Sequence, residues 1–153
     1  MKGDVLVGTQ LEALVDGLAA NNLLAGTSHL LTGYIGSVSF LDAVAAVHAR
    51  LLQAGANVSE AASPVVRPRP LTYVCDPVLG DNGKFYVPEA LVEVYKAKLL
   101  PLATVLTPNG FEVEQLTGLK VSNLIFNNFN CHVTFALTAL SYHGTICTTR
   151  CNP

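Results

Sequence analysis

The strongest constraint in this 153-residue chain is a pattern that recurs three times: a short apolar run, a polar turn, then a segment with helical periodicity. The first run, Ser28 to Tyr34, passes through Leu30 and Leu31 and closes at Gly33; its length fits a strand buried on both faces. The second, Leu71 to Cys75, is rich in aromatic and β-branched residues, and the third, Thr104 to Leu106, is brief. Ser37 or Ser39 is placed to cap a helix through Leu41, Val44, Val47, Leu51 and Leu52, with Gly55 as its stop. Pro88 and Glu89 suit the first turn of a helix that carries Leu91, Val92 and Tyr95 and fades around Leu100 and Pro101. The third helix runs from about Phe111 to Leu116 and ends near Gly118. Ahead of all three, Leu11, Leu14, Val15 and Leu18 mark a helix from about Thr9 to Asn21. This alternation predicts an α/β fold, a central parallel sheet covered by helices.

Two stretches stand apart. Ala56 to Pro70 is rich in alanine, serine and proline and reads as a loop, long for a compact α/β unit. Asp76 to Val87 also reads as loop, given Pro77, Gly80 and Gly83. No internal repeat or true domain boundary interrupts the pattern, so residues 1–153 read as one domain.

Only 13% of the residues are charged while 50% are hydrophobic, where about a quarter charged is usual for a soluble domain. Either part of the surface is meant to be covered by further chain or a partner, or alanine and leucine inflate the figure. A net charge of −2 and the scattered pairs Lys96/Lys98 and Arg67/Arg69 make no nucleic-acid footprint. Met1 to Thr9 lacks the apolar run of a signal peptide, and no stretch of about 18 apolar residues offers a membrane span. Cys147 and Cys151 form a single close pair, with Cys131, His132 and His143 nearby in sequence; without a second close pair this is a weak zinc signal, and free thiols are the simpler reading.

In a parallel sheet the loops that follow the strands emerge at one edge, where ligands usually bind. The first loop holds Thr32, Gly33 and Tyr34; the second Asp76, Gly80 and Asp81; the third Thr107, Asn109, Glu112 and Glu114. Convergent oxygens of Asp76, Asp81, Asn109 and Glu112 suit Mg²⁺, which keeps several waters and binds phosphate oxygens. That chemistry points to phosphoryl transfer, where positioning and charge neutralisation supply most of the catalysis. Each residue also has a plain structural role open to it. Asp76 before Pro77 suits a turn, as do Asp81, Asn82 and Gly83; Asn109 and Glu112 suit a helix cap; Tyr34 suits a strand end. There is no G-x4-GK[ST] phosphate loop and no dinucleotide fingerprint.

Leu31 to Tyr34 reads LTGY, Tyr73 to Asp81 YVCDPVLGD, Tyr86 to Pro88 YVP, and Leu106 to Glu114 LTPNGFEVE, followed by LTG at Leu116 to Gly118. In this order and spacing the blocks closely resemble the pyridoxal (vitamin B6) kinases of the ribokinase-like superfamily, from about Gln10 to Val121 apart from an insertion at Ala56 to Pro70. The resemblance implies transfer of the ATP γ-phosphoryl group to the 5′-hydroxyl of pyridoxal, pyridoxine or pyridoxamine. It implies Tyr34 beside the pyridoxal site, Asp76 and Asp81 around the phosphates and their cation, and Thr107 lining the phosphate site. It also implies that Asn109 and Glu112 hold Mg²⁺, directly or through water, with Asp81 as a further metal contact. Its setting would be cytosolic, with a homodimer as the family's assembly and neither nucleic acid nor membrane as partner.

The departures matter equally. The family begins with a strand bearing a substrate-contacting serine, and this chain starts after the matching elements. Further along, the family carries a G-T-G-D block whose aspartate is the general base and whose glycines form an anion hole; no G-x-G-D occurs here. Gly110 stands where the family usually has glutamine, and residues 122–153, rich in asparagine and phenylalanine at first, lose the resemblance. That tail is expected to be a diverged βα segment or, as the stop at Pro153 favours, misread or alternatively spliced coding sequence. The expectation is therefore a partial kinase domain with little activity of its own. The alternatives are a non-catalytic chain binding nucleotide or a kinase subunit, and a hydroxymethylpyrimidine-type kinase.

Overall fold

In a computed structural model of the chain, residues 5–56, 70–120 and 145–146 are described. The proline-rich stretch at 57–69, the paired cysteines and the histidines of the tail lie outside the described residues.

Helix α1 spans Gly8–Ala20, and its start is fixed by the Gln10 side chain, which reaches back to accept from the Val7 N–H at 2.9 Å. Strand β1 is His29–Thr32 and helix α2 is Val38–Ala56. Ser37 caps α2, its hydroxyl accepting from the Phe40 N–H at 3.2 Å. Gly55 does not stop the helix as its sequence position predicts; α2 runs one residue further, since a glycine near a helix end costs only about 1 kcal/mol. Strand β2 is Thr72–Cys75.

The segment read as loop after Cys75 is not all loop. Gly80–Asp81 (β3) and Lys84–Phe85 (β4) pair antiparallel around Asn82 and Gly83, whose φ values of 50° and 76° belong to the tight hairpin turn that Asn-Gly favours. Helix α3 begins later than Pro88 implies, at Leu91–Val94, and continues as a π turn over Tyr95–Leu99 and a 3-10 turn over Leu100–Leu102. Strand β5 is Val105–Leu106, helix α4 is Gly110–Thr117, and β6 is Thr145–Ile146. Gly118 ends α4 in the left-handed conformation at φ 75°.

The main sheet has the order β1-β2-β5-β6, with every pair parallel. Strands that follow one another in a single direction, joined by crossovers of one hand, put their helices on one side. Alternation along the strands fits that arrangement. Thr32, Tyr73, Cys75 and Leu106 are buried, in one core with Leu41 and Val44 of α2, Leu91 of α3, Tyr95 and Leu99 of the π turn, and Val113 and Leu116 of α4. On the opposite face, Leu31 is paired in register with Val74 and Val74 with Val105. Leu31 is 73% exposed, so β1 is not the doubly buried strand that its apolar run predicts. Among the described residues no helix is long and apolar enough to cross a membrane.

Candidate active site at the strand ends

Parallel pairing brings the three loops to one edge through the main chain itself. The register aligns Thr32 with Cys75 and Cys75 with Leu106. The Asp76 N–H donates to the Thr32 carbonyl at 3.0 Å, and the Thr107 N–H donates to the Cys75 carbonyl at 3.1 Å. Gly33 with Tyr34, Asp76 and Thr107 therefore leave the sheet side by side.

Beyond that edge the second and third loops are stitched together by Asn109 and Glu112. Asn109 is the N-cap of α4, its Oδ1 accepting from the Glu112 N–H at 2.9 Å, while Glu112 Oε2 accepts from the Asn109 N–H at 2.7 Å. This is the reciprocal capping box that the asparagine and glutamate three residues apart encode. The same two side chains reach across to β3 and the turn before it. Glu112 Oε1 accepts from the Leu79 N–H at 3.1 Å, and Asn109 Nδ2 donates to the Gly80 carbonyl at 2.8 Å. Gly80 must be glycine here, because a Cβ would run into the Lys84 carbonyl oxygen and the Phe111 ring. Phe111 in turn packs edge-on against Phe85, with ring centroids 5.1 Å apart.

Glu112 is 3% exposed. Burial lifts its carboxyl above the usual carboxylate range; the N–H groups of Asn109, Leu79 and Gly80 pull it back, and the Asp76 carboxylate raises it further. A desolvated carboxylate that feels the charge of a second acid is a place where a cation lowers the energy of both. The donor set is thus of the right chemistry for Mg²⁺ with phosphate and water oxygens completing its shell. Among the described residues no three histidine, cysteine, aspartate or glutamate side chains form a ready-made cage.

The sequence candidates are placed unevenly. Asp76, Thr107 and Asn109 are half-buried at the edge, with Glu112 buried beneath. Asp81 adjoins Gly80, but its exposed carboxylate is turned to the hairpin, accepting from the Asn82 N–H at 2.7 Å and from Asn82 Nδ2 at 3.2 Å. Tyr34 is 62% exposed, and its hydroxyl lies near Gly36. Sequence reasoning placed Gly80 in the second loop but missed that its carbonyl and the Leu79 N–H are the partners of Asn109 and Glu112. It also missed a buried polar row under the edge. Thr32 Oγ1 and the Tyr73 hydroxyl are 3.0 Å apart, and both bond the Cys75 thiol, which burial pushes up to about 11. An apolar hollow lined by Thr27, Leu51, Leu52, Gly55, Pro70 and Leu71 lies at the opposite end of β1 and β2 and offers no charged group.

Comparison with known proteins agrees with this geometry. The profile of the family described as phosphomethylpyrimidine kinase matches residues 37–126. A pyridoxal kinase of Arabidopsis thaliana is 54% identical over 122 residues, covering 80% of this chain and 35% of that protein. The human pyridoxal kinase is 44% identical over 124 residues, covering 78% and 35%. The chain thus spans about a third of the length of the curated relatives it matches. Among solved structures, a Leishmania donovani pyridoxal kinase in complex with ADP and pyridoxamine superposes with a TM-score of 0.76 at 29% identity, over 92% of this chain and 44% of that one. The chain belongs to the phosphomethylpyrimidine kinase family, and the pyridoxal kinases are the relatives whose sequence and ribokinase-like fold it shares.

Proposed function

We propose that this chain carries the nucleotide-phosphate and cation edge of an ATP-dependent kinase that phosphorylates the 5′-hydroxyl of pyridoxal, pyridoxine or pyridoxamine. The observation that carries the reading is the buried Glu112 carboxylate, fastened to both the Leu79–Gly80 turn and the α4 N-terminus. Asp76, Asp81 and Thr107 would face the phosphates, Asn109, Glu112 and Asp81 would hold Mg²⁺ directly or through water, and Tyr34 would flank the vitamin. The exposed Asp81 carboxylate would reach a cation by leaving Asn82, at the cost of the two contacts it makes there. The bound cation would neutralise charge gathering on the transferred phosphoryl group. The relatives' ligands, ADP with pyridoxamine in the Leishmania donovani protein, support both substrates.

No G-x-G-D sequence is present in the 153 residues, so the general base is proposed to be missing from this chain. Loss of a positioned base costs about 10²–10⁴-fold in rate. A cytoplasmic setting and the family's homodimer remain part of the proposal. The test is calorimetric titration with Mg·ATP, followed by incubation with pyridoxal and absorbance detection of pyridoxal phosphate. Binding with turnover far below about 1 s⁻¹ is expected. Turnover in the ordinary kinase range would overturn the missing base, and a folded chain indifferent to Mg·ATP would overturn the site. Identities of 54% and 44% to pyridoxal kinases favour pyridoxal over a hydroxymethylpyrimidine as the alcohol. The exposed Leu31 on the open sheet face favours, as a second reading, a non-catalytic chain that binds nucleotide while docked on a kinase subunit; co-purification with an intact kinase would support it.

A further inference from the structure

Strand β1 ends where the candidate site begins, and its last residue is anchored twice. In the order β1-β2-β5-β6, β1 has a strand neighbour on one side only among the described residues, and segments with few hydrogen bonds to their surroundings open most easily. The Thr32 carbonyl accepts from the Asp76 N–H at 3.0 Å. The Thr32 hydroxyl lies 3.0 Å from the Tyr73 hydroxyl, in a buried hydrogen bond between β1 and β2. Tyr73 is itself held. It is fully buried, its ring packs against His48 of α2 with centroids 5.7 Å apart, and its N–H donates to Thr104 Oγ1 at 3.1 Å. Past Thr32 the chain has little to hold it: a Cβ at Gly33 would meet nothing within 4 Å, Tyr34 is exposed, and the next buried residue is Ile35. Valine and phenylalanine would fill the same core. A buried hydroxyl pair adds little net stability over them, but it fixes geometry.

We propose that Thr32 and Tyr73 are positioning residues for Asp76, their hydroxyl pair fixing the end of β1 so that Asp76 and the Gly33–Tyr34 turn leave the sheet at a set distance from each other. The register supplies the lever. Thr32 lies opposite Cys75, the residue before Asp76, and Tyr73 stands two residues before Cys75 on the same strand. The side-chain bond and the Asp76–Thr32 main-chain bond therefore close a short ring across the two strands. Loss of either hydroxyl leaves the other buried without that partner, and the ring opens. The proposal deepens the kinase reading and rests on it for its purpose, because phosphates at Asp76 and a vitamin beside Tyr34 need a fixed spacing for transfer. Thr32 and Tyr73 are buried and act through Asp76.

The test uses the whole chain and compares wild type with Thr32→Val, Thr32→Ser, Tyr73→Phe and the Thr32→Val/Tyr73→Phe double variant. Val47→Ala is the comparator, its cavity lying in the second core cluster with Val15, Leu24 and Leu51. Thr32→Val and Tyr73→Phe are each expected to speed hydrogen exchange at the Asp76 amide about tenfold and to weaken Mg·ATP binding about fivefold, the equivalent of one hydrogen bond. The double variant is no worse than either single one, because both remove the same bond. Thr32→Ser stays within about twofold of wild type. Val47→Ala lowers Tm but leaves exchange and affinity within about twofold, which separates positioning from stability. Wild-type exchange or wild-type affinity in Thr32→Val and Tyr73→Phe overturns the proposal, as does an equal loss of affinity in Val47→Ala. If Thr32→Val does not fold, Tyr73→Phe decides by the same readings. A wild-type chain that binds no Mg·ATP overturns the kinase reading instead, and exchange at the Asp76 amide then decides the role of Thr32 and Tyr73.

Discussion

Glu112→Ala is the perturbation that tests the stitched edge most directly. The substitution removes the acceptor shared by the Leu79 N–H at 3.1 Å, the Asn109 N–H at 2.7 Å and the nearby Gly80 N–H. Leu79 is fully buried, so its N–H has no water to turn to and costs about 1–3 kcal/mol unpaired. Losing the glutamate half of the capping box adds about 1 kcal/mol. Against these stands the relief of a desolvated carboxylate, whose raised pKa shows that its ionised form is held at a cost. The net expectation is a loss of about 2–3 kcal/mol, or about 10 °C in Tm for a domain of this size. Glu112→Gln keeps the shape and one oxygen, yet points an NH₂ group at main-chain N–H donors on one side, and recovers at most about half of the loss. Urea melts give the free energies, and hydrogen exchange at the Leu79 and Asn109 amides gives the location. The pH dependence follows from the sign of the shift. A folded-state pKa above the ordinary 4.5 means that the native chain holds its proton more tightly, so this group's contribution is full below about 4.5 and declines as pH rises through the folded value. Glu112→Gln removes that slope. A Glu112→Gln chain that melts like wild type, with both amides still protected, would refute the account.

Other consequences are equally concrete. Gly80→Ala drives a Cβ into the Lys84 carbonyl and the Phe111 ring and is expected to cost about 1–3 kcal/mol; an unchanged melting curve would mean that the hairpin does not lie against α4. Cys75, buried and with its thiol pushed from 9.0 up to about 11, should resist alkylation at pH 8 until urea unfolds the chain, with peptide mapping separating it from the tail cysteines. Because its folded pKa is raised, the stability it contributes is complete below pH 9 and is lost as pH climbs towards 11; rapid labelling of Cys75 in the native chain would contradict its burial. Leu31→Thr on the open sheet face should change stability by less than about 0.5 kcal/mol while reducing self-association and dye binding. A loss of several kcal/mol would show that the face is covered.

The fold was legible wherever period and punctuation agreed. Leu41, Val44, Val47 and Leu51 announce α2 at helical spacing, and all four are buried. The hairpin was not legible, because two-residue strands carry no periodicity and Asn82-Gly83 reads equally as an isolated turn. The exposure of Leu31 was hidden for a different reason. A continuous apolar run predicts burial on two faces, but which faces are covered depends on strand order, and order β1-β2-β5-β6 sends the helices to one side.

The site exposes a subtler limit. From sequence, helix cap and cation ligand stand as rival roles for Asn109 and Glu112, and the structure supplies the capping bonds in full. Yet the rivalry is chemically false. An ionised carboxylate offers about four lone-pair sites on its two oxygens, and the Asn109, Leu79 and Gly80 N–H groups take at most three of them. Lone-pair capacity therefore remains on a carboxylate whose orientation the cap has already fixed, which reduces the entropic cost of ordering it when a cation arrives. Capping α4 and presenting a pre-oriented oxygen are one arrangement, and the burial that raises the Glu112 pKa is what makes the arrival of positive charge favourable there.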